Sequence, residues 1–304
     1  MIVVRRVARV LLVALAACDF RGQISGRDSV LLAERVSMLE ERLADSVSSA
    51  ARSVPVARWV LPPGLNEVSG LARTSDGRLL AHGDELGRIA VLDPRRGVLL
   101  KEFSINARAD FEGITIAKGS IYMVTSNGNL YVFREGANNE RVRYELHDTR
   151  LGRECEFEGV AYDSRRAALL LPCKNVEKKN LRGHIVIYVW PLTPGAATSV
   201  LTVPLRQAIG ENAWRTLRPT DITIDPTTGH YILVAAQEKA IIEITPNGAV
   251  VGSFPLPNAE QHGQPEGLAI TEDGILIVAD EATRAAATLT LYRWPLAPAT
   301  QVAP

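Results

Sequence analysis

Three short apolar runs, each broken by a turn, recur five times along the chain. The first run of each set opens on one stretch: Ser69-Gly70-Leu71-Ala72, Glu112-Gly113-Ile114-Thr115-Ile116, Glu158-Gly159-Val160-Ala161-Tyr162, the degenerate Thr220-Asp221-Ile222-Thr223-Ile224, and Pro265-Glu266-Gly267-Leu268-Ala269-Ile270. The second runs end in polar residues, at Asp84-Glu85, Ser126-Asn127, Lys174-Asn175, Gln237-Glu238 and Asp280-Glu281. The third span 88–92, 129–133, 185–190, 240–244 and 289–294. Copies start 43, 46, 62 and 46 residues apart, the period of a four-stranded propeller blade, with an insertion at 206–215 in the third interval. Turns such as Ser75-Asp76-Gly77, Lys118-Gly119 and Asp273-Gly274 join first and second runs as hairpins. The pattern predicts an all-β, five-bladed β-propeller over residues 56–304. The stretch 57–62 is like the fourth strands expected at 201–205 and 250–256, and the last copy lacks one of its own. The N-terminal strand is therefore expected to complete the last blade and close the ring.

Residues 1–18 read as a signal peptide, with Arg5, Arg6 and Arg9 before the short apolar run 10–17. That run is too short to cross a bilayer as a helix. Leu15-Ala16-Ala17-Cys18 resembles a bacterial lipobox. This implies lipid on Cys18 and a place in the bacterial cell envelope, anchored to a membrane on its periplasmic or extracytoplasmic side. An ordinary secretory signal with an incidental cysteine is the alternative. Residues 19–55 form a linker with an amphipathic helix from about Asp28 to Ala51, whose seam is Leu32, Val36, Leu39, Leu43 and Val47. It is expected to be a spacer off the membrane or, through residues 28–51, an oligomerisation surface.

Charge narrows the function. With 34 basic and 34 acidic residues and no basic run interleaved with aromatics, nucleic acid is excluded as a partner. No Gly-x-Ser-x-Gly, His-Glu-x-x-His, P-loop or dinucleotide motif is present. The histidines show no metal-binding spacing, and His82 falls in a second run near the polar ends. Cys155 and Cys173 flank a hairpin turn centred near Asp163-Ser164. They are expected to be neighbours, either as a disulfide in an oxidising compartment or as two buried thiols.

Because the tight turns share one face, the starts of first runs and the ends of second runs share the other. That mouth collects Glu112, Glu158 and Glu266 at one repeat position, with Asp84, Glu85, Glu238, Asp280 and Glu281 beside them. Like charges crowded on an axis oppose full ionisation. A hard divalent cation relieves this, and calcium, with six to eight flexible oxygen ligands, suits irregular spacing better than magnesium. Alternatively each glutamate bonds backbone N–H groups or pairs with Lys174, Lys239 or Arg88.

Glu67-Val68-Ser69-Gly70-Leu71, Asp110-Phe111-Glu112, Cys155-Glu156-Phe157-Glu158-Gly159-Val160-Ala161-Tyr162, Gln264-Pro265-Glu266-Gly267-Leu268-Ala269 and Leu291-Tyr292-Arg293-Trp294, in this order and spacing, resemble the SdiA-regulated (YjiK-like) family of bacterial propellers, distantly similar to NHL repeats. The resemblance, over residues 56–296, implies a five-bladed propeller, a calcium site built from such acids and no established biochemical activity. It points to Glu112, Glu158 and Glu266 as metal ligands, then Asp84, Glu85 and Glu281. The chain departs from the family pattern at Ser69 and at Thr220-Asp221. Two functional readings follow. One is an envelope lipoprotein whose calcium-binding propeller holds an unknown small molecule or protein at its mouth, where the basic loop 175–184 is either a solvated loop or a flap that helps to hold an anionic ligand. The other is a calcium-dependent hydrolase, of the lactonase or phosphodiesterase kind, with Glu158 or Glu266 as base.

Overall fold

The structure, a computed structural model, describes residues 26–44 and 53–296. The signal segment with Cys18, residues 45–52 at the expected end of the helix, and residues 297–304 lie outside the described residues. Each repeat copy folds as an antiparallel sheet. Blade 1 is Val68–Arg73, Leu79–Gly83, Leu86–Asp93 and Val98–Arg108, and blade 2 is Phe111–Ala117, Ser120–Thr125, Asn129–Phe133 and Tyr144–Asp148. In blade 3 the inner strand is split into Cys155–Phe157 and Ala161–Asp163, both paired with Ala168–Val176, and His184–Pro191 and Ser199–Pro204 follow outward. Blade 4 is Asp221–Ile224, Tyr231–Ala235, Ala240–Ile244 and Val250–Pro255. Blade 5 is Gln264–Ile270, Ile275–Glu281 and Thr288–Arg293, completed by the N-terminal Ala57–Val60, which runs in register from Ala57 opposite Leu291 to Val60 opposite Thr288. The five-bladed ring and its N-terminal closure are those the repeat predicts.

Blade stacking explains why the second strands are continuously apolar rather than alternating. Successive side chains leave opposite faces of a strand, and here each face meets another blade. Tyr231 and Leu233 pack between blades 3 and 4, while Ile232 and Val234 pack between blades 4 and 5. The buried apolar side chains accordingly form five clusters, one at each junction between blades. On the turn face, Asp163 accepts from the Tyr231 hydroxyl at 2.5 Å and Asp225 from the Trp294 indole at 3.1 Å. Both donors belong to the next blade.

The helix Gly26–Ala44 lies against the junction of blades 5 and 1. Leu39 is buried there and Leu43 partly so, Arg42 donates to the Val56 carbonyl at 2.8 Å, and the Arg35 guanidinium lies 5.2 Å from the Trp59 ring. Part of the apolar seam is thus spent on the propeller itself. The insertion forms the short helix Leu205–Ile209, which buries Ala208 between blades 3 and 4. No described helix is long and apolar enough to cross a membrane.

Cys155 and Cys173 form a disulfide with Cα atoms 5.5 Å apart. They are not directly opposed as simple hairpin symmetry implies. Cys173 faces Phe157 and Cys155 faces Val176, because the hairpin, closed by Asp163 opposite Ala168, is centred at Arg165-Arg166 rather than near Asp163-Ser164.

Candidate functional site

The mouth glutamates sit on backbone irregularities. Phe111 pairs with Thr125 and Gly113 with Val124, which leaves Glu112 as an extra residue in its strand. Glu266, between Pro265 and Gly267, and Ser69, between Val68 and Gly70, are bulged in the same way. Glu158 falls in the gap that splits the inner strand of blade 3. A β-bulge re-aims a side chain that regular pairing would send to a sheet face, and here it turns the acids toward the axis. The glycine after each acid lets the inner strands meet. A Cβ on Gly113 would lie 2.5 Å from the Gly159 Cα, and one on Gly159, at φ +87°, would lie 2.7 Å from the Asp221 Cα.

Glu158 and Glu266 are buried, and Glu112 is half-buried. Glu112 and Glu158 act on each other electrostatically. Lys174, from the end of the second strand of blade 3, binds Glu158. Gln264 donates to Glu266 at 2.6 Å. Burial, then the charges of Glu158 and Asp110, push the Glu112 carboxyl up to about 10, against the pull of Lys174. Burial raises Glu158 to about 7 although Lys174 favours its charge. Glu266 is also raised by burial, opposed by Gln264 and Lys174. Glu281 is pushed up to about 7, by burial and then by Glu266, Asp84 and Glu67. Burial works against the Lys174 charge, but Glu158, Glu266 and Glu112 outweigh it and raise the ammonium. One lysine thus stands among several carboxylates.

The other expected residues divide. Asp84 and Glu281 act electrostatically on Glu266 or on each other's surroundings, and one Asp84 oxygen is buried without a partner. Glu85 is exposed and reaches the group only through its effect on Glu67. Asp280 does not join the mouth: it accepts from or donates to His262 Nδ1 at 2.7 Å, and His262 Nε2 meets the Tyr292 hydroxyl at 2.7 Å, all three buried. Glu238 accepts from the Arg218 backbone at 3.3 Å. His82 is fully buried and burial lowers it to about 4, so it is neutral near pH 7. In the basic loop, Lys178 is held by Glu154 at 2.7 Å, and it is Lys174 that enters the mouth.

Asp221, which the repeat sets among the mouth acids one position beyond the glutamates, lies at the centre of the ring with no exposure. Its carboxyl accepts from the Ile222 N–H at 2.8 Å and the Leu268 N–H at 2.7 Å, and also from the Leu71 N–H, so it joins blades 4, 5 and 1. Burial raises this group well above the usual carboxylate range, although the three N–H donors oppose the shift. Thr220 adds a bond to the Pro265 carbonyl at 2.8 Å. The signal available in the sequence was an acid where the other four copies carry glycine.

Beside the carboxylates is a pocket of ≈ 400 Å³, lined in part by Lys174, Arg218, Lys239, Gln264 and Glu266. As a donor set for a hard cation the mouth has the right chemistry, carboxylate oxygens in excess of their one ammonium partner. The shell is not assembled as it stands, since Lys174 occupies Glu158 and no three described His, Cys, Asp or Glu side chains are grouped to hold a metal ion.

Among solved structures the fold is similar to glutaminyl cyclase of Myxococcus xanthus, at TM-score 0.56 and 15% identity over 78% of this chain and 94% of that one. It is also similar to a luciferin-regenerating enzyme, at TM-score 0.50 and 9% identity over 80% and 96% of the two chains. At these identities the likeness is one of fold. No curated protein sequence matches significantly. Residues 56–284 match the model of the SdiA-regulated family, and the chain belongs to that family.

Proposed function

We propose that the chain is a binding propeller of the bacterial cell envelope whose mouth takes up a hard cation, calcium, and thereby sets the site for a ligand in the adjoining pocket. The observation that carries this reading is the convergence of Glu112, Glu158 and Glu266 from three blades on a single ammonium, Lys174. The excess negative charge is held in check by burial-bound protons, and a divalent cation is a stronger remedy than a proton. Glu112, Glu158 and Glu266 would hold the ion, with Asp84, Glu85 and Glu281 contributing charge around it. Lys174 competes for the same carboxylates and must withdraw.

Calcium binding to the native state alone raises stability by mass action. Titration of the purified protein at pH 8 is therefore expected to raise Tm in wild type, less or not at all in Glu158→Gln and Glu266→Gln, and at lower calcium concentrations in Lys174→Gln. An unchanged Lys174→Gln response would show that the lysine does not compete for the site. The envelope location rests on the lipobox-like tetrad alone. It predicts that Cys18→Ala releases the protein from the membrane fraction, and retention would count against a lipid anchor.

A second reading, a calcium-dependent hydrolase, is favoured by the Glu158 carboxyl near 7 beside an open pocket, since a general base works best with a pKa near the operating pH. Turnover of a lactone or phosphodiester, abolished in a folded Glu158→Gln variant, would establish it. A calcium response without turnover of any panel substrate favours the binding reading.

A further inference from the structure

A groove of ≈ 450 Å³ lies on the outer part of blade 1 where blade 2 meets it, and Arg88, Arg108 and Arg141 line it together with Ser104 and Asn106. Two local features build it. The first is a bulge: Leu86 pairs with Arg108 but Arg88 pairs with Ser104, so the outer strand carries two extra residues here. Bulges of this kind bend a strand and re-aim its side chains. At this point the outer strand also presses on the backbone of its neighbour, for a Cβ on Gly87 would lie 2.4 Å from Ile105 Cγ1. The second is a clamp from blade 2. The Ser104 N–H donates to the Glu140 carbonyl at 2.9 Å and the Val142 N–H to the Ser104 carbonyl at 2.8 Å, which fixes Arg141 against blade 1.

The three arginines are exposed, and among the described residues none has an ion-pair partner. Elsewhere on the domain Arg73, Arg78, Arg95, Arg96 and Arg166 each pair with a carboxylate. Glu67, Asp84 and Glu85 line a neighbouring pocket with Arg88 but, among the described residues, form no ion pair with it. Glu140 accepts from the Ala137 N–H at 2.6 Å, and Glu102 approaches Gly64 alongside Arg88 without pairing with it. Three like charges brought together by a bulge and a clamp repel one another unless an anion lies between them. A carboxylate engages one guanidinium fork, whereas a phosphate presents enough oxygens and charge for more than one.

We propose that this groove binds a phosphate-bearing anion through the guanidinium groups of Arg88, Arg108 and Arg141, with Ser104 and Asn106 as neutral hydrogen-bonding partners. The anion is either a soluble phosphate ester or a phospholipid headgroup, and the same chemistry serves both.

Isothermal titration with inorganic pyrophosphate, at low ionic strength and without divalent ions, tests the soluble source. Wild type is expected to bind saturably, and more weakly as salt rises. Each of Arg88→Gln, Arg108→Gln and Arg141→Gln is expected to weaken binding by about tenfold, as loss of one charge-assisted hydrogen-bonding partner does. The triple variant is expected to lose binding, and Arg95→Gln, outside the groove, to leave it unchanged. Arg108→Lys, which keeps the charge, is expected to cost less than Arg108→Gln. Cosedimentation with phosphatidylcholine vesicles, with and without phosphatidylglycerol, tests the lipid source. The N-terminal segment is common to wild type and triple variant, so a phosphatidylglycerol-dependent difference between them reports the groove. Loss in the triple variant in either assay supports the proposal. It is overturned if wild type responds to neither probe, or if the triple variant responds as wild type does.

Discussion

Asp221 takes the place that glycine holds at residues 70, 113, 159 and 267, and it alone puts a side chain on the axis at that level. Replacing it with alanine would leave the N–H groups of Ile222, Leu268 and Leu71 buried without their acceptor. Each such loss costs about 1–3 kcal/mol, so Asp221→Ala is expected to lower unfolding free energy by about 3 kcal/mol or more in urea denaturation. Stability equal to wild type would show that the three donors find other partners. Glu112 has the opposite relation to stability. Its folded value of about 10 lies above the ordinary 4.5, so the folded state holds more protons than the unfolded chain between those limits. Its contribution is complete below about 4.5 and is lost as pH rises toward 10. Glu158 loses its share between 4.5 and about 7. Glu112→Gln removes the larger loss and is expected to exceed wild type in stability at pH 9 by about 1 kcal/mol or more, with little difference near pH 4. Parallel stability curves for the two proteins would contradict this assignment.

At the scale of elements, the blades were legible because their cause is local. A run such as 231–235 is apolar at every position because both of its faces meet another blade, and turn residues punctuate each run. The N-terminal strand was equally legible, since a strand lacking in the last copy had a counterpart at the start. What periodicity does not encode is the bulge at Ser69, Glu112 and Glu266, which depends on pairing with a neighbouring strand. The docking of Leu39 was hidden for a similar reason, because an amphipathic seam has the same spacing whether it meets another helix or a propeller. The disulfide joins Cys155 of the split inner strand of blade 3 to Cys173 of the second strand. The loop it closes is short, and such a link contributes about 3 kcal/mol in the chain-entropy account. Replacing both cysteines with serine is expected to lower unfolding free energy by about that amount under oxidising conditions. Wild type in reductant should approach the variant, and a variant as stable as oxidised wild type would show that the link contributes little.

At the scale of the whole molecule, ring closure makes one end of the axis acidic. Inner strands from different blades converge there, and the bulges at Glu112 and Glu266 and the strand gap at Glu158 add carboxylates to a space where solvent is scarce. The order of the repeat copies made Glu112, Glu158 and Glu266 legible as a group. The pairing of Lys174 with Glu158 was one of two readings the residues allowed, and the three-donor role of Asp221 had no motif to announce it. Two chemistries thus adjoin on this molecule, carboxylates at the centre of the ring and the arginines of the groove between blades 1 and 2. The measurement that bears most directly on the central claim is the melting temperature of wild type and of the Glu112→Gln, Glu158→Gln, Glu266→Gln triple variant, with and without calcium at pH 8. The account predicts a calcium-dependent rise in wild type that the variant lacks. No rise in wild type, or the same rise in both, would contradict it.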